Sequence, residues 1–280
     1  MTSTSIYLLI FFAAFLHALW NIIIKSLNNS LVGIAYKVFF QSLIFTPIIF
    51  FVPLPEGITW FYLTCSFLLH SLYFILLGIM YNREDLTFIY PVARGCAPVF
   101  VTILSLIFLQ DVIPFFGLIG ILIASLALVL ISVNNFNNKI NFKTIGISIF
   151  IAFIISIYAF SDGVGVRSVD NSATFIVWNF FLGGWISISY VYLTDKESLF
   201  QLKIRELLLI LCATIISFSA YAIIIWSMKY EPIGFVASMR ESSIIFASLL
   251  GLVLLKEKIG YMRIISGILF FIGVGFIFNA

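Results

Sequence analysis

Charge is what this chain of 280 residues has least of. Charged side chains make up 10% of it and hydrophobic ones 62%. A soluble domain carries about 25% charged residues, so a water-soluble globular fold is excluded. Cysteine is scarce too. Cys65, Cys96 and Cys212 all fall inside apolar runs, in neither a disulfide framework nor a metal-ligand spacing. No cofactor and no metal is implied. His-Glu-x-x-His, Gly-x-Ser-x-Gly and P-loop patterns are missing, and no pair of acids sits inside an apolar run. An intramembrane enzyme would need one of these. His17, His70 and Asp162 are the material for a catalytic constellation, but their spacing demands none. The net charge of +3 points to no nucleic acid, because the basic residues sit in loops. The N-terminus lacks a basic segment and a small-residue cleavage site, so Ile6 onward is expected to be a first span rather than a removed signal.

What the chain has instead is long apolar runs. Mean hydropathy is +1.18, and a bilayer-crossing helix needs about 20 apolar residues. By that ruler about ten spans are expected, at roughly 4–25, 31–53, 58–80, 86–109, 114–133, 143–161, 172–193, 205–227, 232–255 and 260–278. The fold class is therefore an all-α membrane protein whose first partner is the lipid bilayer. The 32 Phe and 17 Gly suit lipid-facing and helix-packing surfaces. Gly117, Gly120, Gly273 and Gly275 read as helix packing, with a homodimer contact as the other reading. The one low-complexity stretch, Asn134 to Lys139, divides the chain almost in half. It reads as part of a linker, 134–142, between a first five-helix repeat, 1–133, and a second, 143–280. An odd number of spans per repeat inverts the second copy.

Orientation follows from the basic residues. One set of loops holds Lys25, Arg83, Lys139, Lys143, Lys196, Lys203, Arg205, Lys256, Lys258 and Arg263; the other holds Arg167 and Lys229. The rich set is cytoplasmic by the positive-inside rule. A multi-pass protein of the inner cell membrane with both termini on the non-cytoplasmic side is expected.

The remaining three basic residues, Lys37, Arg94 and Arg240, lie inside spans. Arg94 and Arg240 are 146 residues apart, and at that offset Asp85 matches Glu231 and Asp111 matches Glu257. A shared arginine and two shared acids at one gap-free register indicate an internal duplication. Each arginine lies eight residues into its span, about 5 Å from the midplane on opposite sides. A charge at that depth needs a partner or a wet cavity. The structural reading pairs one with Glu241 and the other with backbone carbonyls; the functional reading turns both toward a bound anion.

Other spans carry polar residues at helical spacing. His17, Asn21 and Lys25 share a face with Trp20 beside them. Lys37 and Gln41 follow, then Ser66, His70 and Tyr73, then Tyr158 and Asp162, Trp178-Asn179, and Ser217 with Tyr221. Spans five and ten have almost nothing polar in mid-membrane, so eight helices are expected around a central cavity. The substrate-binding candidates are Arg94, Arg240, Tyr90, Glu241, Trp20, Asn21, His17, His70, Tyr158, Trp178, Asn179, Tyr221 and Ser243. Glu241, Asp162 and His17 are candidates for proton coupling. Against these stand plain readings: Glu241 neutralises an arginine, Asp162 caps a helix, the histidines are neutral, and the aromatics pack. Lys37, six residues from its cytoplasmic helix end, is expected to snorkel.

Several stretches carry a family resemblance: Tyr90-Pro91-Val92-Ala93-Arg94-Gly95, Arg240-Glu241-Ser242-Ser243, His17-Ala18-Leu19-Trp20-Asn21, and Tyr158 to Gly163. To these add Leu109-Gln110-Asp111 and Leu255-Lys256-Glu257. The chain resembles the drug/metabolite transporter superfamily, EamA type, in the branch that shows these motifs. The resemblance spans the whole chain. It implies ten helices in two inverted repeats and a central cavity for a small-molecule substrate, moved by secondary transport with alternating access. Some relatives of the branch are associated with phosphonate use, which implies an anionic or zwitterionic cargo. A lipid-linked flippase on the same fold is the alternative. The orientation gives a first test. An alkaline phosphatase fused to the C-terminus should be active and a C-terminal cytoplasm-dependent reporter silent; the opposite pattern reverses the topology.

Overall fold

The computed structural model describes residues 2–80, 86–133, 142–255 and 260–280. The expected linker lies outside the described residues except for Phe142, as do Arg83, Asp85, Lys139, Lys256, Glu257 and Lys258. The described residues form helices and no strand. They are α1 (Ser3–Lys25), α2 (Ser30–Phe45), a 3-10 turn (Ile48–Phe51), α3 (Thr59–Met80), α4 (Leu86–Phe108) and α5 (Phe115–Val133). The second half follows with α6 (Phe142–Arg167), α7 (Ser172–Leu182), α8 (Trp185–Thr194), the short α9 (Lys196–Phe200) and α10 (Ile204–Ser227). It ends with α11 (Ile233–Arg240), α12 (Ser242–Leu255) and α13 (Tyr261–Phe278). Counting α2 with the 3-10 turn, α7 with α8, and α11 with α12, ten crossings are long and apolar enough for a membrane. This is the all-α membrane fold that the hydropathy requires.

Four spans depart from uninterrupted helices of the expected length: the second gives way to a 3-10 turn after Phe45, and the sixth, seventh and ninth each depart for a local reason. The sixth was expected to end near 161 but runs to Arg167. Asp162 is no cap there; it is fully buried inside the helix. The glycines after it let neighbours close in. A Cβ on Gly163 would stand 2.3 Å from the Ile233 side chain, and one on Gly165 would stand 2.0 Å from the Phe175 ring. The seventh span breaks at Gly183-Gly184. Backbone groups freed in a membrane need other partners, and serines of the first half supply them. Ser42 Oγ accepts from the Gly184 N–H at 2.9 Å, and Ser71 Oγ donates to the Gly183 carbonyl at 3.3 Å. The ninth span breaks at Glu241, where a carboxylate enters the interior. The fourth runs unbroken through Pro91 and Pro98.

The packing follows a simple scheme. α1 lies against α10, α11 and α12, while α6 lies against α3 and α4. α2 meets α7 and α8, and α5 meets α13. The ninth span is 72% buried and the tenth 28%, so α11 and α12 are interior and α13 is a lipid-facing flank. Its exposed Ile264, Ile265, Ile268, Phe271 and Ile272 belong in hydrocarbon. α5 and α13 approach almost backbone to backbone. A Cβ on Gly120 would sit 2.5 Å from the Gly273 carbonyl oxygen, and one on Gly273 would sit 2.6 Å from the Ala124 nitrogen.

At the end of the bundle that holds the N-terminus, polar side chains join both halves. Arg167 Nη1 meets Asp111 Oδ1 at 2.7 Å. Its Nε donates to the Met228 carbonyl at 2.8 Å and its Nη2 to the Glu231 carbonyl at 2.9 Å. Tyr7 Oη donates to Glu231 Oε2 at 3.1 Å.

The glycine contact carries a prediction. Gly273→Val forces side-chain atoms onto backbone that cannot yield, and overpacking of this kind costs about 1–3 kcal/mol. The unfolding midpoint in detergent should fall clearly. Gly275, with nothing within 4 Å of its Cβ position, should accept the same change with a far smaller loss. Equal effects at both positions would contradict the packing.

Candidate functional site

A small cavity opens at the centre of the bundle. His17 and Trp20 of α1 line it, with Lys37, Val38 and Gln41 of α2 and His70, Tyr73 and Phe74 of α3. Arg94 of α4, Tyr158 of α6 and Asn179, Phe180 and Gly183 of the seventh span continue the wall. Ser217 and Tyr221 of α10 and Arg240 of α11 complete it. Eight spans therefore contribute, and α5 and α13 contribute nothing. Of the sequence candidates, His17, Trp20, His70, Arg94, Tyr158, Asn179, Tyr221 and Arg240 share this wall. Glu241, Asp162, Tyr90, Asn21, Trp178 and Ser243 stand off it.

The two arginines meet on one acid. Arg94 Nε lies 2.6 Å from Glu241 Oε2, and Arg240 Nη2 lies 3.3 Å from Oε1. All three side chains are at most 2% exposed. The expectation that one arginine leans on backbone carbonyls is thus replaced by a shared carboxylate. Nη2 of Arg94 and Nε of Arg240 have no hydrogen-bond partner. The triad keeps an excess of one positive charge and spare donors.

Asp162 anchors a second network. Ser66 Oγ donates to its Oδ1 at 2.5 Å, Asn179 Nδ2 donates to the same oxygen at 2.8 Å, and Tyr221 Oη donates to Oδ2. Three donors and no acceptor are what a carboxylate wants. Ser66 spends its proton on Asp162, so its 3.4 Å contact with His70 Nδ1 calls for a proton on that nitrogen. The His70 ring lies 3.8 Å from the Tyr158 ring, tilted by 30°, and meets Tyr221 edge-on at 5.1 Å. Through His70, Asn179 and Tyr221 the buried Asp162 connects to the cavity wall.

The other candidates have local partners. Trp20 Nε1 donates to His17 Nδ1 at 3.2 Å, which leaves the His17 ring proton on Nε2. Asn21 Nδ2 donates to the His17 carbonyl at 2.8 Å. Tyr90 supports Arg94, with the guanidinium 5.8 Å from its ring centre, and faces a separate, smaller cavity with Tyr73 and Leu77. Trp178 is drawn away from the centre by the Pro53 carbonyl, 3.1 Å from its Nε1, and by the Trp60 ring. Ser243 is buried in α12. Among the described residues no three His, Cys, Asp or Glu side chains gather to hold a metal ion.

Lys37 overturns its sequence reading. It is 1% exposed and does not snorkel. Its Nζ turns sideways to Ser217 Oγ at 3.0 Å and lies over the rings of Trp20 at 4.3 Å and Phe74 at 4.4 Å. A hydroxyl and two ring faces within reach outcompete the helix end. The i, i+4 pairing of Lys37 with Gln41 was the available signal for a wall position. Val38, Phe74, Phe180 and Gly183 gave none, because apolar lining looks like apolar packing.

The triad yields the next prediction. Glu241→Gln leaves two buried guanidinium groups without a counter-charge, and breaking such a pair costs about 3–5 kcal/mol. The purified variant should unfold at a clearly lower temperature than wild type, or fail to accumulate. A wild-type midpoint would mean the carboxylate does not stabilise the pair.

Comparison with known proteins supplies the family. A solved crystal structure aligns with 98% of this chain and 98% of its own, at a TM-score of 0.75 and 13% identity; at that identity the likeness is one of fold alone. No curated protein matches the chain in sequence. The model of the EamA-like transporter family matches residues 142–279, and through this second half the chain belongs to the EamA-like transporter family.

Proposed function

We propose that this membrane transporter moves a small polar metabolite, anionic or zwitterionic, through the central cavity by alternating access. The observation that carries the reading is the charge balance around the cavity. Arg94 and Arg240 share the single carboxylate of Glu241, one cation more than there are acids in the triad. A buried excess charge is costly unless something neutralises it, and a cargo anion does so. Guanidinium groups suit carboxylate and phosphate oxygens, and the unpartnered Arg94 Nη2 and Arg240 Nε leave donors for them. The aromatic rings of the wall give the rest of the molecule a flat apolar surface.

The pattern of helix contacts supports two inverted repeats, 1–133 and 143–280. Exchanging the first five spans with the second five turns the contact of the first with the eighth into that of the sixth with the third. It turns first-with-ninth into sixth-with-fourth, and leaves second-with-seventh and fifth-with-tenth unchanged. In transporters of this plan one repeat rocks against the other around a fixed site. The Arg167–Asp111 clasp crosses between the halves at the N-terminal end and would have to part for that end to open. Asp162 and Glu241 are the acids available for proton coupling. On the positive-inside bias of the loops, this reading puts the clasp on the non-cytoplasmic side of the inner membrane.

The test combines the clasp with labelling. Ser217→Cys in a background lacking the three native cysteines reports on the cavity through a membrane-impermeant thiol reagent. Adding Asp111→Asn should raise labelling from the side of the N-terminus and lower it from the other side. Access from both sides in one state would indicate a channel instead.

A further inference from the structure

We infer that Lys37 and Gln41 form an oxyanion seat on the α2 wall of the cavity, separate from the arginine pair. The inference rests on the proposed transport of an anionic group and says where that group docks. The seat takes a carboxylate or a phosph(on)ate oxygen face, whether from a free metabolite or from a lipid headgroup.

The argument begins with how differently the three interior cations are served. Arg94 and Arg240 already share Glu241. Among the described residues no carboxylate lies within ion-pair distance of Lys37. Its partners are one hydroxyl and two ring faces. Ring faces attract a cation through their quadrupole but leave its charge uncompensated. They hold the amine at a defined place on the wall instead of letting it wander, so little ordering remains when an anion arrives.

Position supplies the second element. Gln41 follows Lys37 by one helical turn, so both side chains project from one face of α2, and both line the cavity. The Gln41 carboxamide makes no hydrogen bond to another described residue, so its N–H groups are unspent. A three-donor ammonium beside an amide donor matches an oxyanion with two or more oxygens. Lys37 and Gln41 line the same cavity as Arg94 and Arg240, so the seat and the triad act on one space. An anion on Lys37 would feel both arginines without displacing Glu241.

The experiment follows unfolding of the purified full-length chain in a neutral detergent. Sodium phosphate, sodium acetate and a short-chain phosphatidylglycerol are titrated separately at constant ionic strength, with chloride as the control. A ligand that binds only the folded protein raises the midpoint. Wild type should show a saturable rise with at least one of the three oxyanions and none with chloride. A response confined to the lipid assigns the seat to a headgroup, and one to phosphate or acetate assigns it to a soluble cargo. Lys37→Met keeps the length of the side chain, removes its charge and should leave the ligand-free midpoint no lower. Its apparent affinity should fall by about tenfold or more, the loss of one charge-assisted hydrogen bond. Lys37→Arg should retain most of the affinity, and Gln41→Leu should lose part of it. If Lys37→Met responds like wild type, the seat is wrong while an anion-binding cavity stands. If wild type responds to no oxyanion, the seat and the anionic cargo fall together.

Discussion

The Glu241 carboxylate, shared by two buried arginines, is the interaction on which the interior depends. Arg94 comes from the first half of the chain and Arg240 from the second, and neither has another acid within reach among the described residues. A guanidinium group in hydrocarbon costs several kcal/mol unless it is paired or wet. The ninth span therefore breaks where the carboxylate must turn inward, between α11 and α12. The pair is bound through one acid to the most buried span of the bundle. The arrangement ties the two halves together at the centre and leaves a positive balance on the cavity side.

The same demand for internal partners explains the other irregularities. The seventh span is broken at two glycines, and its free backbone groups are met by Ser42 and Ser71 from the opposite half. Asp162 is buried within an unbroken helix and is met by Ser66, Asn179 and Tyr221. At each of these places at least one serine hydroxyl from the first half meets a polar group of the second. Short polar side chains therefore fix the relative placement of helices in a medium that offers no hydrophobic force to do so.

Hydropathy made the ten crossings legible, because the length of an apolar run measures a membrane directly. The arginines stood out because a charge inside such a run is costly, and spans five and ten stood out by lacking polar residues. What stayed hidden depended on contacts between distant residues. Lys37 reads as a snorkelling side chain until Ser217, 180 positions away, is beside it. Asp162 followed by glycine reads as a helix end until Ile233 and Phe175 fill the space those glycines leave. Trp178 was grouped with Asn179 by adjacency, yet neighbours on a helix point about 100° apart; Asn179 faces the cavity and Trp178 does not.

The contact of α5 with α13 has a mechanical meaning. Where Gly120 and Gly273 bring main chains together, backbone atoms make the nearest contacts and leave little side chain to cushion a shift in distance. The two helices stand outside the cavity, one from each half. A seam of this kind resists separation but permits rotation, as a bearing does. If the two halves move as proposed, they turn about this seam, which lies away from every residue that lines the cavity.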